Sequence, residues 1–207
     1  MLQIQNKHTL TLVPGVSGSG KTTFALRYLI NAPLDFRFIF DLGGDYSERM
    51  QLEPARDAYG LDKQLCQGWV LFDPEWLYPG RPQEAFEFFC DWVFCISERV
   101  PGRKCLVVDE AYRYQSSNGI PPDFLKCIFD GRKRGLEVLV NVVAPNKLNS
   151  AIQDGWTECI CFRLQRGKAL EICADWGFDP EQVAALPDLH FISRTNAGAE
   201  LRGRIKV

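Results

Sequence analysis

Short runs rich in β-branched and aromatic residues alternate along the chain with longer amphipathic stretches, the rhythm of a mainly parallel sheet with helices on both faces. "HTLTLV" reads as the first strand and "KTTFALRYLI" as the helix after it; "FRFIFD" and "WVLFD" read as strands two and three. In "RPQEAFEFFCDWVFCISERV", Phe86, Phe89, Trp92, Val93, Cys95 and Ile96 recur at helical spacing. "KCLVVDE" is then a fourth strand, "PPDFLKCIFDGRKRG" a helix opened by proline, and "LEVLVNVV" a fifth strand. The last quarter adds strand "ECICFRL", helix "ALEICADWGF" and a terminal hairpin built from "LHFISR" and "AELRGRIKV". "SSNGIPP" reads as a loop, and no repeat or linker-like stretch divides the chain. The expectation is one α/β domain over residues 1–207.

Composition narrows the class. The chain has 207 residues, 46% of them hydrophobic and 12% aromatic, enough to bury a full core. A net charge of −2 and a pI near 5.8 give no global basic field, so any polyanion contact must come from a local patch. The eight cysteines (66, 90, 95, 105, 127, 159, 161 and 173) lie mostly in apolar runs and never as Cys-x-x-Cys, which predicts buried thiols in a reducing cytosol rather than a zinc site. No apolar run reaches the roughly 18 residues of a membrane span. The start, "MLQIQNKHTLTLV", lacks a signal peptide's plan. These features predict a soluble, intracellular protein.

"GVSGSGKT", Gly15 to Thr22, matches Gly-x-x-x-x-Gly-Lys-Ser/Thr between a predicted strand and a predicted helix. With glycine near 7% of usage, four fixed positions match by chance on the order of once in a hundred chains of this length. Gly15, Gly18 and Gly20 let the backbone curl so that amides point inward at an anion, and the helix dipole adds to the field there. The phosphate-binding set is therefore Gly15, Val16, Ser17, Gly18, Ser19, Gly20, Lys21, Thr22 and Thr23, with ATP as the nucleotide. Lys21 supplies a charge to the β- and γ-phosphates, and Thr22 offers its hydroxyl to Mg2+.

"CLVVDE" carries two carboxylates to the tip of a buried strand, where an open parallel sheet places its ligands. Neighbours on a strand point opposite ways, so two roles are expected. Asp109 completes the metal shell and Glu110 orients or deprotonates the attacking water.

"DLGGDYS", Asp41 to Ser47, ends the second strand with two acids around a glycine turn. One reading puts the acids at the nucleotide edge; the other is an ordinary Gly-Asp turn capping a helix at Ser47. With the two preceding motifs the stretch resembles the FtsK-HerA superfamily of P-loop motors, whose second strand ends in a pattern like Asp-x-x-Gly-Glu-Tyr. Asp41, Gly44, Asp45 and Tyr46 match it, with Asp45 one methylene shorter than the usual Glu. "GRKRGLEVLVNVVAPNKLNSAI", "TECICFRL" and "GFDPEQVAALPDLHFI" are similar to the carboxyl half of the packaging ATPases of tailless, membrane-containing icosahedral viruses. There the fifth strand usually ends Thr-Gln-x-Pro. Here Val142 and Val143 stand before Pro145 in place of Thr-Gln, and Asn141 or Asn146 is left as the polar substitute.

The resemblance implies a RecA-like P-loop NTPase fold and an ATPase that pulls double-stranded DNA through a homo-oligomeric ring, a hexamer in relatives. It places the motor in the host cytoplasm or at a virion vertex, beside a portal or membrane-vertex protein. "GRKRG", Gly131 to Gly135, is the densest basic cluster. It reads as a solvated helix end, a DNA contact, or an arginine finger completing a neighbour's site, with Arg132 first, Arg134 next, and Arg163 and Arg166 behind. Asp45 joins Lys21, Glu110, Arg132 and Arg134 as an expected catalytic residue. Two other readings stay open: a small P-loop phosphotransferase with "GRKRG" as a lid, and a phage assembly or secretion ATPase.

Overall fold

Strands covered on both faces need apolar residues at every position; Val70–Phe72, Cys105–Val108 and Val138–Val140 are buried throughout. The computed structural model describes residues 10–115, 119–165 and 167–206. In chain order these form β1 (Leu10–Pro14), α1 (Lys21–Asn31), β2 (Phe36–Phe40), α2 (Asp45–Met50), α3 (Ala58–Leu65) and β3 (Trp69–Phe72). Next come α4 (Pro74–Leu77), α5 (Pro82–Arg99), β4 (Lys104–Asp109), α6 (Pro122–Phe129) and, after a 3-10 turn at Gly131–Arg134, β5 (Leu136–Val142). The chain ends with α7 (Ser150–Asp154), β6 (Glu158–Phe162), α8 (Lys168–Asp175), α9 (Pro180–Ala184), β7 (His190–Thr195) and β8 (Glu200–Arg204).

The strands make one sheet in the order β3-β2-β4-β5-β1-β6-β7-β8. Pairings from β3 through β6 are parallel; β6 with β7 and β7 with β8 are antiparallel. The expected mainly parallel sheet with a terminal hairpin is what forms. Two apolar clusters cover its faces. One gathers Phe24, Ala25 and Leu29 of α1 with Tyr46 of α2; the other takes side chains from α3, α5, α6, α8 and α9. Of the cysteines, 90, 105, 127, 159, 161 and 173 are buried and free, Cys95 is half-buried and Cys66 exposed.

Two local expectations change. The helix expected over "PPDFLKCIFDGRKRG" stops at Phe129, and the basic residues wind into the 3-10 turn. The short helices α3, α4, α7 and α9 span too few turns for periodicity to mark them. Their sequence signal is the cap: Asp57, Asp73, Asn149 and Asp179 each accept a hydrogen bond from an amide of the first turn.

Glu158, at the start of β6, is 6% exposed, and its Oε2 meets no donor among the described residues. Burial first, and the nearby Glu137 carboxylate second, raise its pKa to about 7. A carboxylate with a raised folded pKa stabilises the protein below its unfolded pKa and loses that contribution as pH climbs through the folded value. Urea unfolding of wild type and Glu158→Gln should therefore show the stability difference moving toward the variant by about 2 to 3 kcal/mol between pH 5 and pH 8. A difference that stays constant across that range would mean Glu158 is not held protonated.

Candidate active site

β1 delivers the chain at Pro14, and the loop from Gly15 to Gly20 turns it into α1. Two amides anchor the loop's entry: Gly15 N–H donates to Val142 O at 3.0 Å and Val16 N–H to Arg163 O at 2.9 Å. Both amides fix the loop between β5 and the end of β6. Ser19 N–H closes an inner turn on Val16 O at 3.2 Å. By contrast, the amides of Ser17, Gly18, Gly20, Lys21, Thr22 and Thr23 meet no acceptor among the described residues. The last four are the donors a helix start leaves unpaired, and they suit an anion.

The terminal hairpin braces this loop, a role the sequence did not announce. Leu189, in the left-handed region at φ 64, donates its N–H to Ser19 O at 3.1 Å and accepts from Ile205 N–H at 2.9 Å. Arg163 pairs with Asp188 at 2.7 Å beside it. Gly20 has φ 115, and a Cβ there would lie 2.9 Å from Leu189 Cδ2 and 3.3 Å from Ile205 Cδ1.

Lys21 is nearly buried, and its Nζ donates to Gly15 O at 2.9 Å and Val16 O at 3.1 Å, leaving one of three protons uncommitted. Burial lowers its pKa, while Glu110 and then Asp109 act the other way and favour the charged form. Asp109 ends β4; burial lifts its pKa to about 6, more than the bonds from Tyr46 and Asn141 pull it down. Glu110 departs from the strand geometry expected of it. It sits at φ 53 rather than in extended backbone, so strand alternation does not set its direction. Both its carboxylate oxygens accept from Val143 N–H, at 3.0 and 3.2 Å. A non-glycine residue held this way costs about 1 to 3 kcal/mol, which marks the turn as one the surroundings enforce.

In the stretch "DLGGDYS" a glycine turn leads into α2, and the acids and the tyrosine take different places. Asp41 is buried and caps α2, with Oδ1 accepting from Tyr46 N–H at 3.0 Å and Oδ2 from Ser47 N–H at 2.8 Å. Gly43 and Gly44, at φ 100 and 78, make the tight return. What reaches the nucleotide edge is Tyr46, whose hydroxyl donates to Asp109 Oδ1 at 2.8 Å. Asp45 lies exposed on the first turn of α2 and makes no bond to this cluster among the described residues. Of the two asparagines left open, Asn141 is the one in the site: β5 pairs it with Asp109, and its Nδ2 donates to Asp109 Oδ1 at 2.7 Å. Asn146 lies in the turn at Pro145–Lys147.

The basic cluster sits elsewhere. Lys21, Asp41, Asp109 and Asn141 all stand at the C-terminal edge of the sheet, whereas Gly131–Arg134 precedes β5, whose seven residues span about 20 Å. The cluster therefore cannot close over its own phosphate loop. Arg134 is tied to Glu98 at 2.5 Å and lies over the Phe94 ring at 4.5 Å. Buried Lys104 grips the Arg134 carbonyl at 2.9 Å. Arg132 and Lys133 are exposed. Arg163 is engaged with Asp188, and Arg166 lies outside the described residues.

Loop, paired acids and strand order together define a RecA-like P-loop NTPase fold. The genome packaging NTPase B204 of Sulfolobus turreted icosahedral virus 2 in complex with AMP superposes with a TM-score of 0.76, at 17% identity over 99% of this chain and 100% of that one. The DNA-packaging ATPase B204 of Sulfolobus turreted icosahedral virus gives 0.69, at 15% identity over 96% and 98%. The plasmid coupling protein TrwB with ADP and Mg2+ gives 0.66, at 11% identity over 95% and 85%. No protein-family model and no curated protein matches the chain.

Gly20→Ala should lower stability by about 2 kcal/mol or more, since strain and crowding add. Gly18→Ala, at φ 77 with open space around it, should cost about 1 kcal/mol. Chemical denaturation of the two variants measures the difference; equal losses would show that the hairpin does not press on the loop.

Proposed function

We propose that this chain is an ATP-hydrolysing translocase of double-stranded DNA, working as a genome-packaging motor subunit in the host cytoplasm or at a virion vertex. The observation that carries the reading is the set of unpaired amides at Ser17, Gly18 and Gly20 to Thr23, at the same sheet edge as the Lys21 ammonium and the Asp109–Glu110 pair. The loop amides bind the phosphate oxygens and Lys21 neutralises the charge that develops on them. Glu110, held by Val143, orients and accepts a proton from the attacking water. Thr22 Oγ1 and Asp109 Oδ2 accept no hydrogen bond among the described residues and are hard oxygen donors, so they fit Mg2+. When bound, the ion screens the phosphates and polarises the bond that breaks.

A ring would suit the placement of "GRKRG". Arg132 is exposed at the edge opposite its own phosphate loop, so any role at phosphate is in a neighbouring copy, where a finger is worth roughly a thousandfold in turnover. With a net charge of −2, contact with DNA rests on one or two phosphates per subunit. The packaging and coupling functions of proteins with this fold support the same reading. The phosphotransferase alternative loses its lid, because the basic turn is at the wrong edge.

ATP hydrolysis by the purified protein should rise on addition of linear duplex DNA. Glu110→Gln should cut turnover by about 100-fold or more while leaving nucleotide binding intact. Hydrolysis indifferent to DNA would overturn the translocase reading, and phosphate transfer to a small acceptor would favour the kinase-like one. Lys21→Ala and Arg132→Ala, each inactive alone, should recover part of wild-type turnover when mixed, because a mixed ring contains sites with an intact loop and an intact finger. No recovery on mixing would exclude a finger acting between subunits.

A further inference from the structure

The motif "DLGGDYS" contributes something its acids do not explain. Tyr46 is 1% exposed, yet its hydroxyl is drawn out of the apolar cluster around α1 and set against Asp109. Three groups close a triangle there: Tyr46 O–H donates to Asp109 Oδ1 at 2.8 Å, and Asn141 Nδ2 donates to that same oxygen at 2.7 Å and to the Tyr46 oxygen at 2.9 Å. The phenol's single proton goes to the carboxylate and Asn141 Nδ2 serves both oxygens, while the buried Asn141 Oδ1 meets no donor among the described residues. All of the bonding falls on one carboxylate oxygen. Asp109 Oδ2 accepts no bond among the described residues and is left for the site.

We propose that Tyr46 is a positioning residue for the metal shell: it pins the Asp109 carboxylate so that Oδ2 alone is presented to magnesium. The inference rests on the nucleotide-site reading above and adds a residue to it. Asp41 completes the device. By capping α2 through Tyr46 N–H and Ser47 N–H, its carboxylate fixes the backbone from which the phenol reaches Asp109. The second acid of the motif is dispensable to this contact, and the tyrosine is not. A carboxylate freed from such a partner rotates about χ2 and spreads its charge over two directions. Loss of an outer hydrogen bond to a metal-directed group typically weakens metal affinity roughly tenfold or more.

The test is Tyr46→Phe, which keeps the ring and its packing. Two quantities are needed: affinity for a fluorescent ATP analogue in EDTA, and the Mg2+ concentration that half-saturates binding of that analogue. Mn2+ binding in the presence of ADP, followed by electron paramagnetic resonance, provides a readout independent of turnover. Metal-free affinity should stay within about twofold of wild type, while half-saturation by Mg2+ should rise about tenfold and Mn2+ affinity fall in parallel. Asn141→Ala, which removes the other donor to Oδ1, should move the metal titrations the same way. Unchanged metal titrations in both variants would overturn the proposal and leave Tyr46 as packing. Parallel loss of metal-free and metal-dependent binding in Tyr46→Phe would also overturn it, because the effect would then be on the fold. If wild type itself binds no nucleotide with or without Mg2+, the nucleotide reading fails rather than the tyrosine's place within it.

Discussion

A carboxylate surrounded by protein is costly unless donors face it, and Asp109 is where this chain meets that constraint. Its position at the end of β4 puts it among buried strands, and burial shifts it toward protonation. Tyr46 and Asn141 work against that shift, and each is in place for a separate structural reason. Asn141 arrives by parallel register with Asp109; Tyr46 arrives because Asp41, five residues before it, caps the first turn of α2. Three strand ends therefore have to be correct together for one oxygen to be presented.

The rest of the edge is a balance of opposite charges around Lys21. Its ammonium is nearly buried, with two protons on loop carbonyls and both Asp109 and Glu110 close enough to favour its charged form. Glu110 is kept apart from Asp109 by the left-handed turn at its own α-carbon and by Val143 N–H. Two adjacent carboxylates can thus hold different partners, one among side-chain donors and one on the backbone. Both donors come from the end of β5 and the residue after it: Asn141 Nδ2 for Asp109 and Val143 N–H for Glu110.

The terminal hairpin and the basic turn divide the two ends of the sheet between them. At the C-terminal edge, Leu189 and the Arg163–Asp188 pair brace the phosphate loop from the β6–β7 side. At the other edge, Lys104, Glu98 and Phe94 fasten the turn that displays Arg132. A chain built this way carries the loop's unpaired amides at one end of the sheet and an exposed cation at the other.

Much of this was legible in the sequence because the signals are local. Apolar runs of four to seven residues mark where the strands lie along the chain, and the spacing of Gly15, Gly20, Lys21 and Thr22 marks a phosphate loop wherever strand and helix flank it. Asp109 is legible at a strand tip for the same reason, whereas the left-handed turn that takes Glu110 off the strand is not. Only the tertiary structure decided the rest, since it depends on which chain ends meet. Strand order put Asn141 beside Asp109, the glycine turn swung Tyr46 rather than Asp45 into the site, and neighbouring carbonyls claimed the amides of Gly15 and Val16. The separation of Arg132 from its own phosphate loop was likewise hidden, because the direction of a strand is set by its partners and not by its residues. Sequence determines what each segment can donate or accept; packing determines what it faces.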